Sequence, residues 1–151
     1  MEIDPRIANE AMAFFDVGKQ EYLKRGNSIN TEKDGYALIP IIVNLAFSIE
    51  LFLKCMLEKS WGHDLEKLFL KIDENERKAI LQITLKQVQQ LEPDFKESDF
   101  WDCLRRNKAA FEDWRYFYQR GKHADVFFLF SFATTLHNII SVVMTVSKTK
   151  K

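Results

Sequence analysis

The sequence predicts an all-α fold, an antiparallel bundle of four to five main helices plus one short helix. Apolar residues recur at helical spacing over long stretches, and no stretch alternates apolar and polar residues as a half-buried strand does. The three prolines and five glycines fall mostly between the helical segments. Short connections between such segments indicate antiparallel neighbours. With 151 residues the chain suits one domain, at residues 1–147, with a basic tail at 148–151.

The first two helices are bounded by a cap and a polar loop. Asp4 is an N-cap residue, and Pro5 occupies the first helical position, where a missing N–H loses no hydrogen bond. This helix is predicted to run to Lys24. The polar stretch GNSINTEKD at residues 26–34 predicts a loop, and the strongly apolar residues 35–60 predict the second helix.

A turn and two caps define the middle of the chain. Residues 61–63, WGH, interrupt the apolar pattern, so His63 is interpreted as a turn residue rather than a catalytic one. Asp64 then caps a short helix, LEKLFLK. The stretch DENE, which starts at Asp73, has capping-box spacing and begins a helix that extends to Leu91.

The last third of the chain predicts two long helices separated by a glycine. One begins at residues 98–99 and runs to Arg120, with a break near Asn107. Gly121 ends it, and the last helix covers residues 124–147.

The last helix contains a segment without formal charge, residues 126–146, which is long enough to span a membrane. It also carries a weakly polar stripe at helical spacing. The stripe consists of Ser131, Thr134, Asn138, Ser141 and Thr145. This periodicity favours a core or subunit-contact helix, so we expect no membrane contact and a cytoplasmic protein.

The charge balance and the missing motifs exclude several functional classes. Lys+Arg and Asp+Glu both number 22, so the chain as a whole lacks the basic character of a dedicated DNA-binding protein. There is no glycine-rich phosphate loop, no HExxH and no paired-cysteine zinc motif, so we expect no cofactor and no metal. Cys55 and Cys103 are expected to be core thiols in a reducing compartment.

Glu50 and Lys54 lie four residues apart within an otherwise apolar helix, a spacing that suits an ion pair. Two interpretations stay open. In one, Glu50, Lys54 and Glu58 form an exposed line on the bundle surface. In the other, Glu50 pairs with Arg115 from a later helix, because an arginine among aromatic rings needs a carboxylate partner to be buried.

The segment FEDWRYFYQRGKH at residues 111–123 combines aromatic rings with positive charges. Phe111 and Trp114 share one helical face with Tyr118, which favours core packing for Phe111 and Trp114. Aromatics interleaved with cations also stack bases and neutralise phosphates. The candidate RNA-contact patch therefore consists of Arg120, Lys122 and His123.

Two of these segments together resemble HEPN domains. Residues 44–69, NLAFSIELFLKCMLEKSWGHDLEKLF, carry a Glu and a Lys one turn apart, then a Gly-His-Asp-Leu turn and a short helix. FEDWRYFYQ is similar to the later HEPN helix that carries an arginine among aromatics. The resemblance implies a helical bundle, commonly homodimeric. It also implies a relation to metal-independent ribonucleases of toxin–antitoxin, phage-defence or RNA-processing systems.

The ribonuclease motif of such domains is an arginine followed, after four to six residues, by a histidine. The histidine handles a proton and the arginine stabilises the phosphorane, with two copies meeting at the dimer interface. Here seven residues separate Arg115 from His123, and two separate Arg120 from His123. Arg106 and Asn107 start like the motif, but no histidine follows at the required spacing. These departures imply a member that does not cleave RNA.

The leading hypothesis is a non-cleaving homodimer, an interaction or RNA-binding module of a toxin–antitoxin, defence or mobile-element system. Its expected partners are RNA or a protein such as a nucleotidyltransferase-like antitoxin. One alternative is a metal-independent endoribonuclease in which Arg115 or Arg120 binds phosphate and His123 is the acid/base. Another is a purely structural dimer whose last helix forms the interface.

Overall fold

The computed structural model describes residues 1–25, 31–58, 60–116 and 124–149, including all their side chains except those of 31–35 and 148. Seven α-helices occupy most of these residues, and no strand occurs among them. In chain order the helices are α1 (Pro5–Arg25), α2 (Thr31–Cys55), α3 (Leu65–Lys71), α4 (Glu74–Val88), α5 (Glu97–Arg106), α6 (Ala110–Arg115) and α7 (Val126–Thr149). The all-α prediction is confirmed.

The central helix of the bundle is α2. It packs against α1, α3, α6 and α7, and α7 also packs against α1 and α4. The following α2 side chains are at most 2% exposed: Leu38, Ile41, Ile42, Leu45, Ala46, Ile49, Phe52, Leu53 and Cys55. A helix that is hydrophobic almost all round has to lie in the interior, which explains the position of α2.

Aromatic rings join three helices in the core. Phe69 of α3, Phe100 of α5 and Phe132 of α7 have ring centroids 5.5 Å apart in every pairing, and all three side chains are fully buried. Tilted and edge-on contacts at this distance are the arrangements that aromatic pairs favour. They anchor the short helix α3, which is too short to be stable by itself.

The first two helices approach each other closely at Gly18. A Cβ at this position would lie 3.0 Å from a side-chain carbon of Leu45 and 3.3 Å from the Cβ of Asn44. Any larger residue at this position would therefore require the side chains of Leu45 and Asn44 to shift.

The predicted N-caps of α3 and α4 are both present, but within the described residues Glu76 does not complete the predicted capping box at α4. The carboxylate of Asp64 accepts the N–H of Lys67 at 3.0 Å, and that of Asp73 accepts the N–H of Asn75 at 2.9 Å. Each cap satisfies a first-turn N–H that has no partner within the helix. The predicted turn at residues 61–63, with Asp64 after it, is therefore confirmed.

Both ends of α2 differ from the prediction. The helix begins at Thr31, inside the predicted loop, and residues 26–30 lie outside the described part of the chain. It ends at Cys55 instead of residue 60. The carbonyl of Cys55 accepts the N–H of Asp4, just before α1, at 2.9 Å, so a distant segment satisfies the end of the helix.

The helix predicted from residues 98–99 to Arg120 is divided into α5 and α6. Buried Asn107 lies at the division, and its Nδ2 donates to the Cys103 carbonyl and to the Asp125 carboxylate, both at 2.7 Å. A side chain that bonds the backbone in this way competes with helix continuation.

Two other helices end at unexpected residues. α4 ends at Val88 rather than Leu91, and Leu91 is exposed. α7 continues to Thr149, so the start of the predicted basic tail is helical.

Two segments are long and apolar enough to cross a membrane by length and composition alone. They are Tyr36–Cys55 in α2 and Val126–Ser147 in α7, and 56% and 44% of them, respectively, are buried inside the fold. The sequence predicted only the second. Core helices meet the same criterion, so this is weak evidence for a membrane, and the absence of membrane contact stays a prediction.

Replacing Phe69 by alanine removes the ring that joins α3 to α5 and α7. We expect the free energy of unfolding to fall by about 3–5 kcal/mol, because the cavity forms where three helices meet. The matched control is Leu70→Ala, whose side chain is 51% exposed, with an expected loss of about 1 kcal/mol or less. Urea unfolding followed by circular dichroism measures both, and equal losses would contradict the central position of Phe69.

Candidate functional site

A buried carboxylate near the end of α2, that of Glu50, accepts hydrogen bonds from two other polar side chains. Glu50 is 1% exposed, and its Oε1 accepts hydrogen bonds from Lys54 Nζ at 2.7 Å and His63 Nδ1 at 2.8 Å. We call these three residues the Glu50 cluster. Helical spacing brings Lys54 to Glu50, one turn away. The contact with His63 requires the chain to fold back after α2.

The fold-back occurs at Gly62. Its φ of +97° lies in the region that favours glycine, so the turn forms there without strain. Asp64 then begins α3 and fixes the chain after the turn. His63 lies between these two fixed points, with its side chain 54% exposed although Nδ1 reaches a buried carboxylate. The predicted turn position is correct, but the bond to Glu50 was missed.

The hydrogen bond to Glu50 sets the tautomer of the neutral His63 ring. An ionised carboxylate only accepts hydrogen bonds, so Nδ1 carries the hydrogen in the neutral ring. Nε2 is then the acceptor. The cluster therefore holds an imidazole in one tautomer at the protein surface.

The second oxygen of Glu50, Oε2, is buried and has no hydrogen-bond partner among the described residues. Most buried polar atoms are satisfied, and an exception often marks a functional position. The Lys54 ammonium, whose side chain is 18% exposed, compensates the buried negative charge.

The predicted ion pair between Glu50 and Lys54 is present, but both predicted surroundings of Glu50 are wrong. Glu50 is buried, so it does not belong to an exposed line with Lys54 and Glu58. Arg115 is exposed, and within the described residues it has no carboxylate partner. Its guanidinium carbon lies 4.9 Å from the ring centroid of Phe111 and 4.8 Å from that of Tyr116. The expected pair of Glu50 and Arg115 does not form, because Arg115 makes these cation–π contacts and His63 occupies the position beside Glu50.

The rings under Arg115 continue toward the Glu50 cluster. Phe111 stacks on Phe47 of α2 at a centroid distance of 4.4 Å and an interplanar angle of 19°. Phe47 precedes Glu50 by three residues, so the two share one side of α2. We call Phe47, Phe111, Arg115 and Tyr116 the arginine stack. Of the two rings that were predicted to pack in the core, Trp114 is buried as expected, whereas Phe111 is only half-buried.

A shallow cleft lies between the turn at residues 61–64 and α3. It has a volume of about 560 Å³ and is lined by Trp61, Gly62, Asp64, Lys67, Leu70 and Lys71. Trp61 is 89% exposed and Leu70 is half exposed. Among the residues that the structure describes, the Lys67 and Lys71 ammonium groups are paired with no carboxylate. We call this feature the tryptophan cleft. No sequence signal indicated that Trp61 is exposed.

The candidate RNA-contact patch, Arg120, Lys122 and His123, lies outside the described residues. The structure therefore does not bear on the arginine–histidine pair of the ribonuclease alternative. The remaining histidine, His137, packs inside the bundle against the ring of Phe15, with centroids 4.5 Å apart.

A larger cleft of about 670 Å³ adjoins α5 and the start of α7. Arg106 Nε and Nη2 donate to the two carboxylate oxygens of Asp125, each at 3.1 Å. The hydrogen bond with Asp125 is the main cause that raises the pKa of the Arg106 guanidinium above its usual value. Arg106 thus holds the start of α7 in place. This assigns a structural contact to the arginine that resembled the start of a nuclease motif.

Nucleophilic and metal chemistry find little support in the described residues. Burial raises the pKa of the Cys55 and Cys103 thiols to about 12, so both are protonated at neutral pH. Within the described part of the chain, no three His, Cys, Asp or Glu side chains are grouped to hold a metal ion.

Comparison of the chain with protein-family models, with curated proteins and with solved structures finds no match. The HEPN resemblance therefore stays a prediction from sequence. The functional argument rests on the Glu50 cluster, the tryptophan cleft and the arginine stack.

Replacing Lys54 by methionine leaves the buried Glu50 carboxylate without its compensating ammonium. We expect the free energy of unfolding to fall by about 1–3 kcal/mol. The matched control is Lys78→Met, which breaks a Glu–Lys pair of the same spacing whose side chains are 65–70% exposed. That variant should show no measurable change, because exposed pairs are screened by water. If chemical denaturation gives both variants the same stability, burial does not strengthen the Glu50 pair.

Proposed function

We propose that the protein is a non-cleaving interaction module that binds single-stranded RNA and works as a homodimer. The exposure of Trp61 is the observation that carries this proposal. A tryptophan ring that is 89% exposed contributes little to the core. An exposed ring beside positive charges is the arrangement with which proteins stack unpaired bases.

The two lysines of the tryptophan cleft supply the positive charge. Lys67 and Lys71 are four residues apart on α3, so they project from the same side of the helix. Both are exposed and, among the described residues, unpaired. Their ammonium groups are available to phosphate oxygens next to a base stacked on Trp61.

The arginine stack supports the same function. A guanidinium plane over aromatic rings is itself a surface on which bases stack. Tyr116, 36% exposed, ends the described segment before residues 117–123. The sequence places Arg120, Lys122 and His123 in the segment that follows, and they remain proposed RNA contacts. Such a local patch is the only route to RNA binding in a chain with equal numbers of acidic and basic residues.

The exposed part of α7 supports self-association. Val142 and Val146 are 63% and 48% exposed, and Val126–Ser147 contains no charged side chain. Two copies of this surface meet without like-charge repulsion, as a symmetric dimer requires.

Trp61→Ala is expected to weaken binding of a short labelled single-stranded RNA by about 5- to 150-fold, because base stacking on one ring is lost. Tyr36→Ala is the matched control, since Tyr36 is an exposed aromatic about 21 Å along α2 from Glu50. Fluorescence anisotropy at low salt measures both. With Lys67, Lys71 and Arg115 as phosphate contacts, log Kobs should fall with log salt at a slope of about −2.

Three results contradict the RNA-binding proposal in different ways. Loss of affinity in Tyr36→Ala equal to that in Trp61→Ala shows that the cleft is not the site. Absence of binding at low salt favours the purely structural dimer. Degradation of the RNA in EDTA favours the ribonuclease alternative with Arg115, Arg120 and His123.

Val142→Glu is expected to convert the homodimer to a monomer, because a symmetric contact brings the two new charges together. Leu23→Glu is the control, since Leu23 is an apolar residue of α1 with a similar exposure of 56%. Multi-angle light scattering measures the mass of each. A wild-type protein that is monomeric at the working concentration contradicts the homodimer.

A further inference from the structure

We infer that His63 binds the ribose 2′-hydroxyl and thereby makes the protein prefer RNA to DNA. The inference rests on the proposed RNA binding at the tryptophan cleft. It concerns the exposed edge of the imidazole, whose other edge is held by Glu50 at 2.8 Å. The proposed contact is a hydrogen bond from the 2′-hydroxyl to Nε2.

The Glu50 cluster makes Nε2 an acceptor. Nδ1 faces a carboxylate oxygen that also accepts from Lys54 at 2.7 Å, so that oxygen has no hydrogen to give. The neutral ring therefore carries its hydrogen on Nδ1 and a lone pair on Nε2. A histidine without such a partner exchanges between the two tautomers and prefers neither kind of ligand atom.

As a hydrogen-bond acceptor, Nε2 of His63 can bind only the hydrogen-bond donors of a nucleic acid. Phosphate oxygens and the deoxyribose ring oxygen also only accept hydrogen bonds. The remaining donors are base amino and imino groups and the ribose 2′-hydroxyl. Base edges change with sequence, whereas every ribose carries the hydroxyl. Stacking on Trp61 tolerates any base, so the sequence-independent donor is the matching choice.

The space around the turn admits a sugar. Trp61 and His63 are separated by one residue, so their Cα atoms lie at most about 7 Å apart. A Cβ built on the intervening Gly62 would meet no atom of any described residue beyond its two chain neighbours within 4 Å, so no other described part of the chain covers the turn there. A nucleotide whose base stacks on Trp61 can thus bring its ribose to His63. Both residues are more than half exposed.

The test compares three labelled single strands of one sequence: RNA, DNA and 2′-O-methyl RNA. We expect the wild-type protein to bind RNA about 3- to 10-fold more tightly than the other two, because one neutral hydrogen bond is at stake. His63→Ala should lower RNA affinity to the DNA level and leave DNA affinity unchanged. Fluorescence anisotropy gives all the dissociation constants.

Glu50→Gln tests the positioning role of the carboxylate. The amide either accepts from or donates to Nδ1, so Nε2 is no longer fixed as an acceptor. The RNA preference should shrink while DNA affinity stays the same, a change that a merely structural role does not produce. Lys71→Ala is the control and should weaken RNA and DNA alike. Circular dichroism confirms that each variant is folded.

Equal wild-type affinity for RNA and DNA overturns this inference alone. So does a His63→Ala protein that loses RNA and DNA affinity in the same proportion, since His63 would then contact phosphate or base. Absence of binding to all three strands overturns the proposed RNA binding and this inference with it.

Discussion

Burial of α2 constrains the whole bundle. Its apolar surface faces four other helices, and burial of each large side chain contributes about 1.5–3 kcal/mol. The same burial encloses Glu50, whose charge is unfavourable in an apolar interior. Lys54 and His63 are therefore drawn to one carboxylate oxygen. The positions of α3 and of the turn before it are therefore coupled to the charge of Glu50.

The exposed groups that suit a ligand lie around the end of α2. His63 is shared by the Glu50 cluster and the turn that carries Trp61, while Phe47 connects α2 to the arginine stack. The charges of Lys67, Lys71 and Arg115 are not neutralised by described carboxylates. Arg106, by contrast, is neutralised by Asp125 and serves the packing of α7. This difference in pairing separates the candidate binding surface from structural ion pairs.

Features that depend on nearby residues were predictable. The caps Asp64 and Asp73 act on N–H groups two or three residues away, and helical spacing brings Lys54 to Glu50. Contacts between residues that are far apart in the sequence were not predictable. The interpretation of Arg115 as the buried partner of Glu50 was wrong, because residue type alone does not reveal which of several cations a fold brings to a carboxylate. The division at Asn107 depends on Asp125, eighteen residues later.

The sequence by itself determined the all-α class, most helix positions and the turn before Asp64, because periodicity, caps and glycine act over a few residues. Only the tertiary structure decided that Glu50 is buried, that His63 is its partner and that Trp61 is exposed. These properties follow from how α2, α3 and the turn between them pack together. The twelve residues between Glu50 and His63 carry no local signal of that contact. It forms because a buried charge requires a partner within reach of the folded chain.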